Sequence, residues 1–332
     1  MSLFNRLNGP VFYKDDSDAE RQLAQLETML EKASGGAEKA IKREIMLVRA
    51  GIAGEKQVRF ELENSHIPMY VLHDLYLEHN GLTSQIDYLI ITRQHQFVIE
   101  CKNLYGDIEI NENGDFIRCF SYGSFRKKEG VYSPITQNRR HMELIKQIRS
   151  ECHSVLTRGT FEKNFFQRYR SVVVLSNPKT VLNNRRARKE IRDQVIRVDQ
   201  LAAYIRKVNA EPGSVASSDK QMEELAAFFR NICKPNPTDY TEKYSHLLSE
   251  PASEDSSPEK SEQEEQAPLT EVKQADESPA APEQPETILC PRCGAQMVKR
   301  QAKKGENAGN YFYGCSNYPK CRGIINIEKE TD

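Results

Sequence analysis

GLTSQIDYLIITRQHQFVIECKN, residues 81–103, alternates with period two on either side of a polar bridge, Thr92-Arg93-Gln94-His95. That pattern predicts a β-hairpin. Folding it about Arg93 and Gln94 sets Ile91 against Gln96, Ile90 against Phe97 and Asp87 against Glu100. Asp87, Leu89 and Ile91 then share a face with Val98 and Glu100, and Lys102 lies on that face too. Cross-strand partners stand roughly 4.5–5.5 Å apart at Cβ. Two carboxylates that close on a half-buried sheet repel each other. A divalent cation between them would relieve this, and so would one shared proton.

The flanking chain predicts an α/β domain. Residues 17–34 read as a helix with Leu23, Leu26 and Leu30 as its stripe, broken by Gly35-Gly36. A second helix spans about 37–64 on Ile41, Ile45, Val48, Ile52, Val58 and Leu62. Glu55 falls on that apolar stripe, where an acid needs a partner. Strands follow at 69–77, 108–110 and 116–122. Pro134 opens a helix expected to run unbroken through Leu156, with Gln137 in its first turn and His141 on its surface. SVVVL at 171–175 is a buried strand, RRARKEIR at 185–192 a basic helical segment and 195–198 a last strand. Helices at 200–208 and 220–233 complete the domain.

Charge is segregated. The chain has 332 residues, 29% charged and 38% apolar, with formal net charge −1. Residues 250–286 hold twelve acids and two lysines, whereas 287–332 hold eight bases and four acids. Residues 234–286 are too polar and too rich in Pro, Ser, Glu and Gln to bury a core, so they read as a disordered acidic linker. The expected domains are an N-terminal helical extension (1–36), the α/β domain (37–233), the linker and a small module (287–332). No apolar run reaches membrane-spanning length, and there is no signal-peptide pattern, which predicts a reducing cytoplasm and no membrane partner. Eight cysteines there suggest metal before disulfides.

In the small module, Cys290 and Cys293 form C-x2-C, and Cys315 and Cys321 form C-x5-C. Four thiolates in two pairs suit a tetrahedral Zn2+, which would supply the folding energy that so short a chain lacks. CPRCG and YFYGCSNYPKCRG resemble the C4 zinc ribbon at the C-terminus of bacterial type I DNA topoisomerases. The resemblance implies binding of single-stranded nucleic acid. Tyr311, Phe312, Tyr313 and Tyr318 stand among Lys320, Arg322 and other bases, so aromatics can stack on bases while cations follow phosphates. Phe312 and one of the tyrosines could instead be the ribbon's own core, and the expectation is that different rings take the two roles.

Asp87, twelve intervening residues, then Glu100-Cys101-Lys102 is the spacing of a PD-(D/E)xK nuclease core. With Gly54-Glu55, Gln85-Ile86-Asp87, Asn103, Gly106, and Pro134-x-x-Gln137, it resembles the NERD (nuclease-related) domain over about 47–150. The family usually has Asn before that proline, where this chain has Ser133. The resemblance implies a restriction-endonuclease-like core with a mixed sheet and metal-dependent cleavage of phosphodiester bonds in DNA. By that likeness Asp87 and Glu100 hold Mg2+ (or Mn2+), with the Cys101 carbonyl as a further ligand. Lys102 activates water or neutralises charge. Glu55 is a second-metal or water-bound acid, and Gln85 and Gln137 position phosphate or water. RNA stays open as a substrate. The rival expectation is a non-catalytic nucleic-acid adaptor or repair scaffold built on the same fold.

Overall fold

The computed structural model of the chain describes residues 7–122, 125–211, 215–239, 241–244, 297–301, 311–316, 321 and 324–326. The chain divides into two units, residues 1–272 and 273–332.

In the first unit, the apolar period-two runs build a six-stranded mixed sheet in the order β1 (Pro10–Lys14), β2 (Met69–His79), β3 (Leu82–Ile91), β4 (Gln96–Lys102), β8 (Tyr169–Leu175), β10 (Val195–Arg197). The β2–β3–β4 meander is antiparallel, while β1 joins β2, β8 joins β4 and β10 joins β8 in parallel. A parallel step needs a crossover; the β4-to-β8 crossover carries three strands of a second, four-stranded sheet, and the β8-to-β10 crossover supplies the fourth. Its order is β7 (Phe125–Val131), β6 (Phe116–Tyr122), β5 (Asp107–Ile110), β9 (Leu182–Asn183).

Helices cover both faces of the main sheet. After α1 (Asp18–Leu30), α2 (Gly35–Glu63) lays Val58 and Leu62 on the face that carries Val71, Tyr88, Ile90, Phe97 and Ile99. On the other face α3 (Pro134–Glu151) and α4 (Val155–Arg168) pack Met142, Ile145, Ile148 and Phe165 against Leu75, Leu89, Ile91 and Val98. Past the single turn α5 (Lys189–Arg192), α6 (Leu201–Asn209) joins α2, and α7 (Asp219–Ile232) joins α3. The result is a mixed α/β fold with two mixed sheets.

The hairpin forms with the expected register, Ile91 to Gln96 and Ile90 to Phe97, but the ladder ends at Tyr88–Ile99. Asp87 therefore does not sit in a regular pair with Glu100. Other expectations need correction. The N-terminal segment is not only helical, because PVFYK adds β1 to the sheet edge. The long helix breaks at Cys152-His153-Ser154, and Ser154 stands at the N-cap of α4. Of the basic segment, only Lys189–Arg192 is helical. Residues 234–239 and 241–244, assigned by composition to the linker, remain on the domain. The Lys234 N–H donates to the Tyr76 carbonyl at 2.9 Å. Tyr244, 8% exposed, donates its hydroxyl to Glu44 Oε2 at 2.7 Å. The rest of the linker lies outside the described residues.

Gly54 sets how closely α2 approaches the sheet. A Cβ there would stand 2.5 Å from Ser176 Oγ and 2.8 Å from Asn103 Cβ. Close by, the Asn103 side chain donates to the Ala50 carbonyl at 2.7 Å, tying the end of β4 to the helix. Gly54→Ala should lower the melting temperature even though alanine is the better helix former by about 1 kcal/mol. Overpacking costs about 1–3 kcal/mol, and Ser176→Ala in the same chain should restore part of it in a thermal melt.

In the second unit, β11 (Met297–Gln301), β12 (Tyr311–Cys315) and β13 (Ile324–Asn326) form an antiparallel three-stranded sheet. Met297 and Cys315 are buried, with Tyr313 and Cys321 packed against them. Among the described residues, Tyr313 is the tyrosine that packs on that core. Cys290, Cys293, Tyr318, Lys320 and Arg322 lie outside the described residues.

Candidate active site

A fault in the β2–β3 ladder places the acids. Pairing runs through His73–Tyr88 and resumes at Leu75–Ile86, leaving Asp74 and Asp87 at the gap. Asp74 takes φ 53°, a left-handed conformation that aspartate tolerates better than most residues. Such an irregularity re-aims side chains. Here Leu72 and Leu75 lie in one cluster, as do Ile86 and Leu89, although simple alternation would separate them. His73 and Tyr88 stack at 4.5 Å on the face that α2 covers.

Asp87 sits where these shifts meet. Its Oδ2 accepts the Cys101 N–H at 2.6 Å, so it caps the end of β4. Burial first, then the negative charges of Glu100 and Glu55, raise its pKa well above the usual carboxylate range. That response puts Glu100 of β4 and Glu55 of α2 each within electrostatic reach of Asp87 on β3. Glu100 is 2% exposed. Burial works against its charge too, but Lys102 and then His141 outweigh it and hold its pKa below the usual value. Lys102 Nζ lies 3.1 Å from Glu100 Oε1. His141 Nε2 lies 3.3 Å from Glu100 Oε2. Between the acids, burial and then Asp87 push the Cys101 thiol up, which keeps it a neutral packing residue.

Glu55 does have the partner its place on the stripe demanded. His73 Nε2 stands 2.8 Å from its Oε2, and the Tyr88 hydroxyl donates to its backbone carbonyl at 3.0 Å. Gln85 is committed elsewhere. Its amide donates to Asp74 Oδ1 at 2.7 Å and accepts from Asn236 at 3.1 Å. Gln137 is half-buried in the first turn of α3, one turn before His141.

Sequence reasoning missed His73 and misplaced His141. His141 is 8% exposed, not on the helix surface. Asn138, His141, Ile145 and Ile148 follow helical spacing and are all buried, so the stripe itself carried the signal. His73 had none, because the ladder fault that aims it is not a feature of composition or period.

The donor set fits a hard divalent cation. Glu100 Oε2 is buried without a hydrogen-bond partner, and burial and its neighbours disfavour the charged form of Asp87. Among the described residues no group of three or more His, Cys, Asp or Glu side chains is gathered tightly enough to hold an ion alone. Mg2+ asks for less, since one or two carboxylates with waters suffice. A pocket of about 720 Å3 lies elsewhere, beside β10, lined in part by Arg139, Tyr169, Arg197, Tyr204 and Lys207 and by none of these acids. The acids are the better site, because Asp87 and Glu100 are two buried carboxylates acting on each other, with a lysine beside Glu100 and an unpartnered oxygen on it. Among the described residues no helix is long and apolar enough to cross a membrane.

Residues 50–176 match the nuclease-related domain family, NERD, and residues 287–330 match the topoisomerase DNA-binding C4 zinc finger. An uncharacterized Bacillus anthracis protein is 38% identical over 98 residues, 29% of this chain and 44% of that protein. DNA topoisomerase 1 of Helicobacter pylori strain J99 is 42% identical over 43 residues, 13% of this chain and 5% of the enzyme. DNA topoisomerase 1 of Methanocaldococcus jannaschii is 42% identical over 45 residues, again 5% of the enzyme. The chain thus spans less than half of each of these relatives. No solved structure gives a significant match. The NERD match contains Glu55, Asp87, Glu100, Lys102, Gln137 and His141, and it ends at Ser176, the residue against which Gly54 packs. The chain therefore carries a nuclease-related (NERD) domain at residues 50–176 and, in the same polypeptide, a topoisomerase-type C4 zinc ribbon at residues 287–330.

Proposed function

We propose that the NERD domain is a restriction-endonuclease-like, metal-dependent nuclease that hydrolyses phosphodiester bonds in DNA, and that the zinc ribbon grips the nucleic acid. The observation that carries this is the burial of Asp87 and Glu100 side by side at the end of β4, with Glu55 acting on Asp87 and Lys102 bound to Glu100. Asp87 and Glu100 would hold Mg2+ or Mn2+, with the Cys101 carbonyl as a further oxygen donor. When bound, the ion supplies Lewis-acid stabilisation of the phosphoryl charge and a water of lowered pKa.

The protein's own groups do the rest. Lys102 offers a positive charge next to Glu100, where it can orient the attacking water or meet charge developing on phosphate. Glu55, fixed by His73, stands ready to accept a proton from water or to hold a water-bound second ion. Gln137 opens α3, where helix-end N–H groups favour an anion. Gln85 acts indirectly, bracing Asp74 beside Asp87.

In the ribbon, Cys290, Cys293, Cys315 and Cys321 would bind Zn2+. Tyr311, Phe312, Tyr318, Lys320 and Arg322 would contact single-stranded DNA. The acidic linker would keep the ribbon's DNA near the acids by raising its local concentration. The test is incubation of the full chain with labelled single-stranded, duplex and branched DNA, and with RNA, each with Mg2+ or Mn2+. Divalent-ion-dependent cleavage of DNA supports the nuclease. Binding without cleavage under either ion supports the adaptor in its place.

A further inference from the structure

His141 is held in an unusual way. Its Nδ1 contacts Ser84 Oγ on β3, and that serine is itself 7% exposed. Its Nε2 faces Glu100 Oε2 across 3.3 Å, yet both atoms are buried and neither has a hydrogen-bond partner. An unsatisfied buried polar atom costs about 1–3 kcal/mol. Two of them facing each other call for a shared third group.

The proton on the imidazole decides what that group is. A proton on Nε2 pairs the ring with Glu100 electrostatically across 3.3 Å in the metal-free protein, yet leaves both atoms without a well-directed hydrogen bond. With an ion in place of that proton, Nδ1–H can donate to Ser84 Oγ, which frees the Nε2 lone pair for the ion beside Glu100 Oε2. Two donors about 2.1 Å from one ion at a right angle are about 3 Å apart. The 3.3 Å between Nε2 and Oε2 suits adjacent ligands of a single cation. A ligating histidine commonly hands its other N–H to an oxygen partner that fixes ring and tautomer, and Ser84 stands in that place.

We infer that His141 Nε2 is a direct ligand of the divalent ion that Glu100 holds. The site is then mixed imidazole and carboxylate, and it takes a first-row transition ion such as Mn2+ more tightly than Mg2+, whose preference is for oxygen alone. This rests on the metal role of the acids under Proposed function.

Mn2+ is the probe. Mn2+ titrated into the zinc-loaded full chain, with the free ion followed by electron paramagnetic resonance, gives its Kd, and competition with Mg2+ gives the preference. Pulsed resonance on the bound ion reads coupling to a ligating imidazole nitrogen. The wild type should show that coupling and should release Mn2+ only to a large excess of Mg2+. His141→Gln should abolish the coupling and weaken Mn2+ at least about tenfold. Ser84→Ala should weaken it about 10-fold or more while keeping the coupling, as loss of an outer partner does. Bound Mn2+ without nitrogen coupling in the wild type overturns the histidine ligand and leaves the acid site standing. Coupling that persists in His141→Gln overturns it equally, by assigning the nitrogen to another residue. No Mn2+ binding outside the ribbon overturns both readings. The wild-type spectrum decides even if a variant folds poorly.

Discussion

Asp87→Asn should stabilise the protein without added metal and, in the same molecule, remove its cleavage activity. Burial and the charges of Glu100 and Glu55 raise the pKa of Asp87 above that of an unfolded chain. Between the unfolded and folded values the native state binds more protons than the unfolded state, so stability falls as pH rises through that window. Above the folded value the full penalty is in force. Asparagine carries no charge and can still accept the Cys101 N–H. The variant should therefore melt higher than the wild type at pH 7–8, with the gap closing as pH falls toward the ordinary aspartate range. For a domain of this size each kcal/mol is about 2–4 °C. Mg2+ should raise the wild-type melting temperature and leave the variant's unchanged. Losing a ligand that supplies several kcal/mol of charge stabilisation should cost about 10^3-fold in cleavage rate.

Glu100 has the opposite sign. Lys102 and His141 hold its pKa below the usual value, so its contribution to stability is present above the unfolded pKa and is lost as pH falls. Glu100→Gln should lower the melting temperature at neutral pH where Asp87→Asn raises it. Opposite thermal shifts with the same loss of activity would separate a catalytic defect from a folding defect. A wild-type melting curve unmoved by Mg2+ or Mn2+ would count against both assignments.

Removing zinc should have the second large effect, and it should fall on binding. β11, β12 and β13 are short strands around a small core of Met297, Cys315 and Tyr313. A module that small draws its folding energy from its metal, about 10–16 kcal/mol for structural zinc. Cys315→Ser, or chelation, should unfold it. Each base stacked on an aromatic contributes about 1–3 kcal/mol, so affinity for a single-stranded oligonucleotide should weaken about 10^2-fold by fluorescence anisotropy. Zn2+ should restore the chelated protein but not the variant. The NERD domain should melt as before, since its core owes nothing to those cysteines. Unchanged affinity after zinc removal would take the ribbon out of DNA binding.

Much of this was legible in the chain. Period-two alternation gave the hairpin and its register, because a one-residue slip would expose Leu89 and Ile91. The stripe position of Glu55 showed an acid in need of a partner, and cysteine spacing marked the ribbon. What escaped notice depends on local geometry. PVFYK, with proline at its start, is too short to announce β1, and three residues suffice to break α3 from α4. The Asp74 fault reverses the alternation beside Asp87 and brings in His73, and no periodicity foretells it. His141 was readable from the Asn138–Ile148 stripe, yet a polar residue beside Arg139 and Arg140 reads as surface until Glu100 is seen facing it.

The acids are the centre of the account, and one side-by-side measurement tests them most directly. Labelled DNA is incubated with wild type and Glu100→Gln at equal bound fraction, with Mg2+ or Mn2+. Cleavage by the wild type, lost by about 10^3-fold in the variant while binding holds, is the expected result. Equal cleavage by the two proteins, or none by the wild type with either ion, would contradict it.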